Sequence, residues 1–439
     1  LPIPDGLFDE LVADAFERPL PVLTRREARL AWMKGKADAV VGMRRAGKTW
    51  FTFQVMRDLL AAGWPRESLL YASFDDERLA ELGASELGRL VDAFYRRWPA
   101  MRDRECAFFF DEIQMVAGWE RFVRRLLDSE NARICLSGSS AKLLSREIAT
   151  SMRGRGISTE IFPFGFGESA AHVGLERPRR RPTKRQRSLL EHHMDLYLVR
   201  GGFPEAQELD DRRRAQLLQG YLDAVLLRDV IERHGISNPV ALRRFARQLM
   251  NAPGGRVSVH RIYHDLRSQG VAVSKGTLHA FLDHLTDAYL FFTVPIASDS
   301  ERVRQSNPRK IYGIDPGLVR ACATSRRTDI GHLFETFVFL ELRRRGTDIA
   351  YFHTEADEEC DFVVRDGDRT SLVQACVDLS DLATRQRELR ATVAGMEHLS
   401  LDTATIVTLR EEGLVRDGRR RIRLVPAWLW ALERAAATD

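Results

Sequence analysis

Eight residues, GMRRAGKT from Gly42 to Thr49, carry the spacing Gly-x-x-x-x-Gly-Lys-Thr. Two glycines permit a tight turn whose successive N–H groups point inward as a cradle for phosphate oxygens. Lys48 would reach the β- and γ-phosphates of a nucleoside triphosphate, and the Thr49 hydroxyl would ligate Mg²⁺. A second group stands about 60 residues further on, in ECAFFFDEIQMV. Ala107 to Phe110 predict a buried strand, with Asp111 and Glu112 at its C-terminal end, where ligands of open α/β sheets bind. Asp111 would hold Mg²⁺ through water, and Glu112 would polarise an attacking water.

Elements to position these groups are present. Ala39, Val40 and Val41 predict a buried strand feeding the loop, and Trp50 to Ala61 a helix leaving it. The N-terminus of that helix adds partial positive charge beside the phosphates. RICLSGSS predicts another buried strand. Its end, Ser137 to Ser140, either senses the γ-phosphate or caps the helix beginning AKLL. Arg153 and Arg155 flank Gly154 ahead of a further strand. They are either an arginine finger for a neighbouring subunit or ordinary surface arginines.

The totals limit the class. A chain of 439 residues with 44% hydrophobic and 29% charged residues reads as two to four globular domains. Five cysteines without a C-x-x-C pair argue against a disulfide frame or zinc site and for reduced thiols in the cytoplasm. No apolar run reaches membrane-spanning length, and the N-terminus lacks signal-peptide design. A net charge of +5 permits a nucleic-acid partner without requiring one.

Taken in order, residues 1–35 read as helices, LFDELVADAF followed by LTRREARLAWM. Residues 36–175 carry the nucleotide domain, with a strand at Leu69 to Phe74 and a helix from a Ser85 cap to Arg97. Residues 176–187, ERPRRRPTKRQR, read as a linker. Its Arg179, Arg180, Arg181, Lys184 and Arg185 either touch a phosphate backbone or are simply solvated. Residues 188–239 are helical around a Gly201-Gly202-Phe203-Pro204 turn. Residues 240–325 have a winged-helix layout, in which the third helix, capped by Ser274, turns Lys275, His279 and His284 outward. Such a module serves DNA or protein partners. Residues 326–439 form a last α/β unit, with two strands joined at a DGD turn.

The combination GMRRAGKT, FFFDEIQ, LSGSS, GGFPE and KIYGIDPGL resembles a group of bacterial and archaeal ATPases. These have an AAA+-like N-terminal domain, a middle winged helix and a restriction-endonuclease-like C-terminal domain. The fold class this implies is α/β: a P-loop NTPase parallel sheet, then a helical winged-helix domain, then an endonuclease-like α/β domain. The resemblance also implies ATP and Mg²⁺ as cofactors. It extends the nucleotide-binding set to Gly42, Arg44, Arg45, Ala46, Gly47, Lys48, Thr49, Trp50 and Ser137, with Thr49 and Asp111 on the metal. In related ATPases subunits close in rings and arginines act in trans, which implies Arg153 or Arg155 here. The nuclease pattern places a helix Glu, an Asp and then Glu-x-Lys. Glu335 and Asp361 match the first two, but the third reads Gln374-Ala375-Cys376, without the carboxylate and the lysine. Nuclease activity is therefore not expected unless a lysine comes from elsewhere in the fold. The expected function is an oligomeric ATPase acting on DNA, with branched DNA among the candidate forms. The alternative is a nucleotide-dependent scaffold without DNA.

Overall fold

The computed structural model describes residues 4–138, 152, 154–178, 181–324, 329–354 and 358–433. Contacts divide the chain into two compact units, Leu1–Phe162 and Pro163–Asp439.

The first unit is built on a five-stranded parallel sheet of order β2-β3-β4-β1-β5. Its strands are β1 (Ala37–Val41), β2 (Leu69–Ser73), β3 (Cys106–Asp111), β4 (Ala132–Ser137) and β5 (Gly156–Glu160). β1 and β3 are buried along their whole length, as continuous apolar runs in a sheet covered on both faces must be. Helix α2 (Lys48–Ala61) covers one face, where Phe51, Phe53 and Met56 pack on Val40, Leu69 and Phe109. α3 (Leu87–Arg97) and α4 (Trp119–Ser129) are further helices of this unit. The N-cap position of α3 is Glu86, one residue after the expected Ser85, and its side chain makes no capping bond.

The amino-terminal segment departs from expectation. α1 (Asp5–Glu17) is helical, but residues 18–36 are not. Pro19 and Pro21 remove two backbone donors, and the segment finds its partners in tertiary structure instead. The Arg26 N–H donates to Gln54 Oε1 at 2.6 Å, and the Gln54 amide returns a bond to the Arg26 carbonyl. Buried Asp38 accepts the N–H groups of Ala31 and Trp32. Helical periodicity in LTRREARLAWM thus reflects a strip lying on the sheet, with Leu23, Ala28, Leu30 and Trp32 against the core.

The second unit begins with the helix Phe166–His172 and continues through Lys184–Arg200 and Asp211–Ala224. The basic run is not a free linker to its end. Thr183 caps the second of these helices in a box with Gln186, so Lys184 and Arg185 lie in its first turn. Arg187 pairs with Glu191 at 2.7 Å. Arg179 and Arg180 lie outside the described residues.

The glycine turn and the KIYGIDPGL motif clasp each other. Asp315 accepts the N–H of Gly202 at 2.6 Å and of Leu318 at 2.8 Å. A Cβ at Gly202 would stand 2.0 Å from the Phe164 carbonyl oxygen, so no larger residue fits there.

Three helices follow, Pro239–Met250, Val259–Ser268 and Lys275–Asp287, capped by Asn238, Ser258 and Ser274. A small sheet of order β6-β8-β7 completes this part: β6 (Arg256–Val257), β7 (Phe291–Val294) and β8 (Arg309–Gly313). Lys275 and His279 are exposed as expected. His284 is not turned out; its ring stacks on His234 at 3.7 Å.

The last sheet has six strands, in order β13-β14-β12-β11-β10-β9. They are β9 (Asp348–His353), β10 (Glu359–Asp366), β11 (Arg369–Ala375), β12 (Thr403–Thr408), β13 (Gly413–Asp417) and β14 (Arg420–Pro426). The stretch around the DGD turn holds three strands, β9 to β11, rather than two. IAYFH pairs antiparallel with β10 as a strand of its own.

Candidate functional site

The loop from Gly42 to Gly47 leaves β1 beside β5. Gly42 has φ 149°, and a Cβ there would meet the Ile161 carbonyl oxygen at 2.2 Å. Gly47 has φ 98° and starts α2. Lys48 is buried and its ammonium bonds the carbonyls of Gly42 and Met43, each at 3.1 Å. These bonds hold the lysine curled over the loop it belongs to.

Thr49 Oγ1 donates to Asp111 Oδ2 at 2.8 Å. Ser137 at the end of β4 donates to Asp111 Oδ1, and Tyr71 on β2 donates to Oδ2 at 3.1 Å. One carboxylate therefore receives three hydroxyls from three different elements. The sheet order explains the meeting. β4 lies between β1 and β3, so Ser137 stands between the loop and the acid, and β2 flanks β3 on the other side. Tyr71 was not singled out from sequence. It lies two residues before Ser73, the register partner of Asp111, and so shares its face. Burial first, then the charge of Asp111, raises the Tyr71 phenol well above its ordinary value, so it keeps its proton and donates it to Asp111.

Glu112 has φ 52°, a left-handed conformation uncommon outside glycine. Its carboxylate takes the amide of Gln114. Arg26, also missed in the sequence, is buried and bonds the Ala46 carbonyl at 3.1 Å and the Phe162 carbonyl, tying the amino-terminal strip to the loop. Arg45 and Trp50 are exposed beside the loop, and Arg44 is half-buried.

Arg155 is not at this site. β1 and β5 are parallel, with Ala37 opposite Gly156 and Val41 opposite Glu160. Arg155 therefore sits at the end of the sheet away from Lys48, paired with Asp128. Arg153 and Ser140 lie outside the described residues.

A model of the AAA domain family AAA_14 matches residues 34–170, and a domain of unknown function, DUF8612, matches residues 191–329. The uncharacterized protein MJ1544 of Methanocaldococcus jannaschii is 32% identical over 438 residues, spanning 97% of this chain and 95% of that one. This chain belongs to that protein's family. An uncharacterized protein of Haemophilus influenzae is 28% identical over 343 residues, 78% of this chain and 82% of its own. Among solved structures, Cdc6p from Pyrobaculum aerophilum aligns at 12% identity over 66% of this chain and 86% of its own, with a TM-score of 0.26. That likeness is too low to bear on the partners of this chain. The AAA_14 match and the parallel sheet with its phosphate loop make the first unit a P-loop AAA-like domain, followed by helical and further α/β parts.

The second unit holds another charged group. Glu335 and Asp361 do come together, and a lysine joins them: Lys310 of β8, at 2.9 and 2.8 Å, with Glu359 at 2.6 Å. β7 runs on through Pro295 and Ala297 to bond Tyr351 of β9, which brings the small sheet and its lysine to the last sheet. Gln374 takes the place of the expected carboxylate. Its Oε1 accepts the Asp361 N–H at 2.9 Å, and its amide donates to Glu388 at 2.6 Å. A glutamate there could not donate to Glu388. Burial, then the charge of Asp361, pushes the Glu335 carboxyl up, against the pull of the Lys310 ammonium and the Tyr312 hydroxyl. Among the described residues no group of three or more His, Cys, Asp or Glu is placed to hold a metal ion as it stands; Glu335, Glu359 and Asp361 are spaced around the Lys310 ammonium instead.

Proposed function

We propose that this chain binds ATP with Mg²⁺ at the loop Gly42–Thr49, hydrolyses it, and couples that turnover to DNA as an oligomer. The convergence of Thr49, Ser137 and Tyr71 on Asp111, beside the loop over which Lys48 is held, supports the reading best. A hydroxyl and a carboxylate at 2.8 Å are hard oxygen donors of the kind Mg²⁺ takes. Thr49 and Asp111 would hold the ion, whose charge would offset that gathering on the transferred phosphate. Lys48 would exchange its two loop carbonyls for phosphate oxygens. Ser137 would sit beside the terminal phosphate, and Glu112 would orient the attacking water. Arg155 lies too far from its own Lys48 to act there, so its role as a finger requires a neighbouring copy.

Tyr71 fixes the orientation of Asp111. In Tyr71→Phe, the Mg²⁺ concentration for half-maximal turnover is expected to rise about 10- to 100-fold, the worth of one hydrogen bond to a charged group. A Mg²⁺ titration of ATP turnover reads this, and an unchanged curve removes Tyr71 from the site.

The DNA part rests on basic side chains of the three-helix region. Arg261, His264, Arg267, Lys275 and His279 are all exposed, and Lys275 lies over the Tyr263 ring. The test measures ATP turnover without DNA and with duplex, single-stranded and four-way-junction DNA, together with DNA affinity at several salt concentrations. Stimulation by one form, with log K falling steeply against log salt, is the expected result. A slow rate indifferent to every DNA would leave a nucleotide-dependent switch with protein partners, the scaffold reading. No helix of the described residues is long and apolar enough to cross a membrane.

A further inference from the structure

The cluster around Lys310 has a stoichiometry that bears on its use. An ammonium group has three donors and no acceptor. The Lys310 ammonium meets three carboxylate oxygens, one each from Glu335, Glu359 and Asp361, at 2.6 to 2.9 Å. The lysine side chain is 2% exposed, so water does not compete for these bonds. Each acid is further held from behind. Glu335 takes the Tyr312 hydroxyl at 2.7 Å, Asp361 takes the Ala375 N–H at 3.1 Å, and Glu359 pairs with Arg256 at 3.3 Å. The oxygens thus surround one point, and that point is filled by a cation belonging to the chain. A pocket of about 360 Å³ opens on the same wall, lined by Glu359, Asp361, Gln374, Arg387 and Glu388 among others.

We propose that Lys310 is an internal substitute for a divalent cation: its ammonium takes the place a metal ion would take among Glu335, Glu359 and Asp361, and by filling it keeps metal out. Mg²⁺ draws oxygens in to about 2.0–2.1 Å, and Mn²⁺ to little more, whereas the ammonium holds the same oxygens at about 2.8 Å, so the two cannot share the cage. The opposite use of the same residues is a nuclease, in which the lysine stands beside the metal and positions a water. The burial of the ammonium, whose side chain is 2% exposed, favours substitution, since a water-positioning lysine needs a water within reach.

The experiment compares the full chain with Lys310→Met, which keeps the apolar stem and removes the charge. Each is tested with and without Asp361→Asn, in Mn²⁺ and without nucleotide. Thermal melting and calorimetric titration report binding, and a supercoiled plasmid reports cleavage. The wild type is expected to show no Asp361-dependent Mn²⁺ binding and no nicking. Lys310→Met is expected to gain one Mn²⁺ site, with a melting rise of at least about 4 °C in excess ion that Asp361→Asn removes. Should Lys310→Met be unfolded alone, Mn²⁺ is expected to restore folding, because an ion that binds only the folded state stabilises it. Failure of Mn²⁺ either to bind the folded variant or to restore the unfolded one overturns the proposal. So does Asp361-dependent Mn²⁺ binding by the wild type. Plasmid nicking that Lys310→Met abolishes would overturn it in favour of the nuclease.

Discussion

Glu112→Gln is expected to lower the rate of ATP hydrolysis about 100- to 10 000-fold, the usual loss on removing a general base. Nucleotide affinity should stay within about threefold of wild type, because the side chain acts on the water and not on the bound phosphates. The substitution keeps the shape of the side chain. It also keeps an oxygen for the Gln114 amide, so the left-handed turn at φ 52° is not disturbed. Steady-state turnover and a fluorescent-nucleotide titration separate the two effects. Equal turnover in the variant would place the base elsewhere. Loss of binding together with turnover would mean that Glu112 shapes the loop rather than the chemistry.

The second large effect concerns stability. Asp315→Ala is expected to cost about 2–6 kcal/mol, at about 1–3 kcal/mol for each of two buried N–H groups left without an acceptor. The carboxylate is almost wholly buried, and the N–H groups of Gly202 and Leu318 would lose their acceptor in a place water does not reach. Burial pushes its pKa up to about 6, against the pull of those N–H bonds. A carboxyl raised in the folded state favours folding while it is protonated. The associated stability is therefore complete below the unfolded value near 4 and is lost as pH rises to about 6. The loss amounts to about 3 kcal/mol. Asp315→Asn should flatten this slope between pH 4 and 6 while costing less than alanine, since one oxygen still accepts. Denaturant titrations of the full chain at pH 4.5, 5.5 and 7 check both. A pH slope unchanged in Asp315→Asn would assign it to another group.

The strands of the first unit were legible because each is a short apolar run ending in the polar residues that matter. AVVG, FFFDE and LSG all declare a buried strand and the site at its tip. The order of those strands was not legible. Nothing in the run Ala132–Ser137 says that it lies between β1 and β3, and only that placement brings Ser137 to Asp111. Tyr71 was hidden for the same reason: its value lies in a cross-strand register. The amino-terminal strip misled because a ribbon lying on a sheet can space its apolar residues as a helix does, and the prolines at 19 and 21 were the signal to the contrary. Lys310 shows the furthest reach. A missing lysine in β11 was readable, but its replacement comes from β8, over 60 residues earlier in the chain and in a different sheet. His284 read as outward because its partner, His234, is 50 residues away.

The order of the parallel sheet has a consequence for how the chain is made. β1, which carries the phosphate loop, pairs on one side with β4 and on the other with β5. Both lie about a hundred residues downstream, at Ile134 and Gly156 opposite Ala37. At about 5–20 residues per second a ribosome takes on the order of 5–20 s to deliver them. Through that interval β1 has no strand to pair with on either edge, while β2 and β3 pair as soon as both have emerged. The first unit therefore closes late and around its own active strand. A nascent chain halted before residue 160 should expose the loop Gly42–Thr49 to proteases however long it waits.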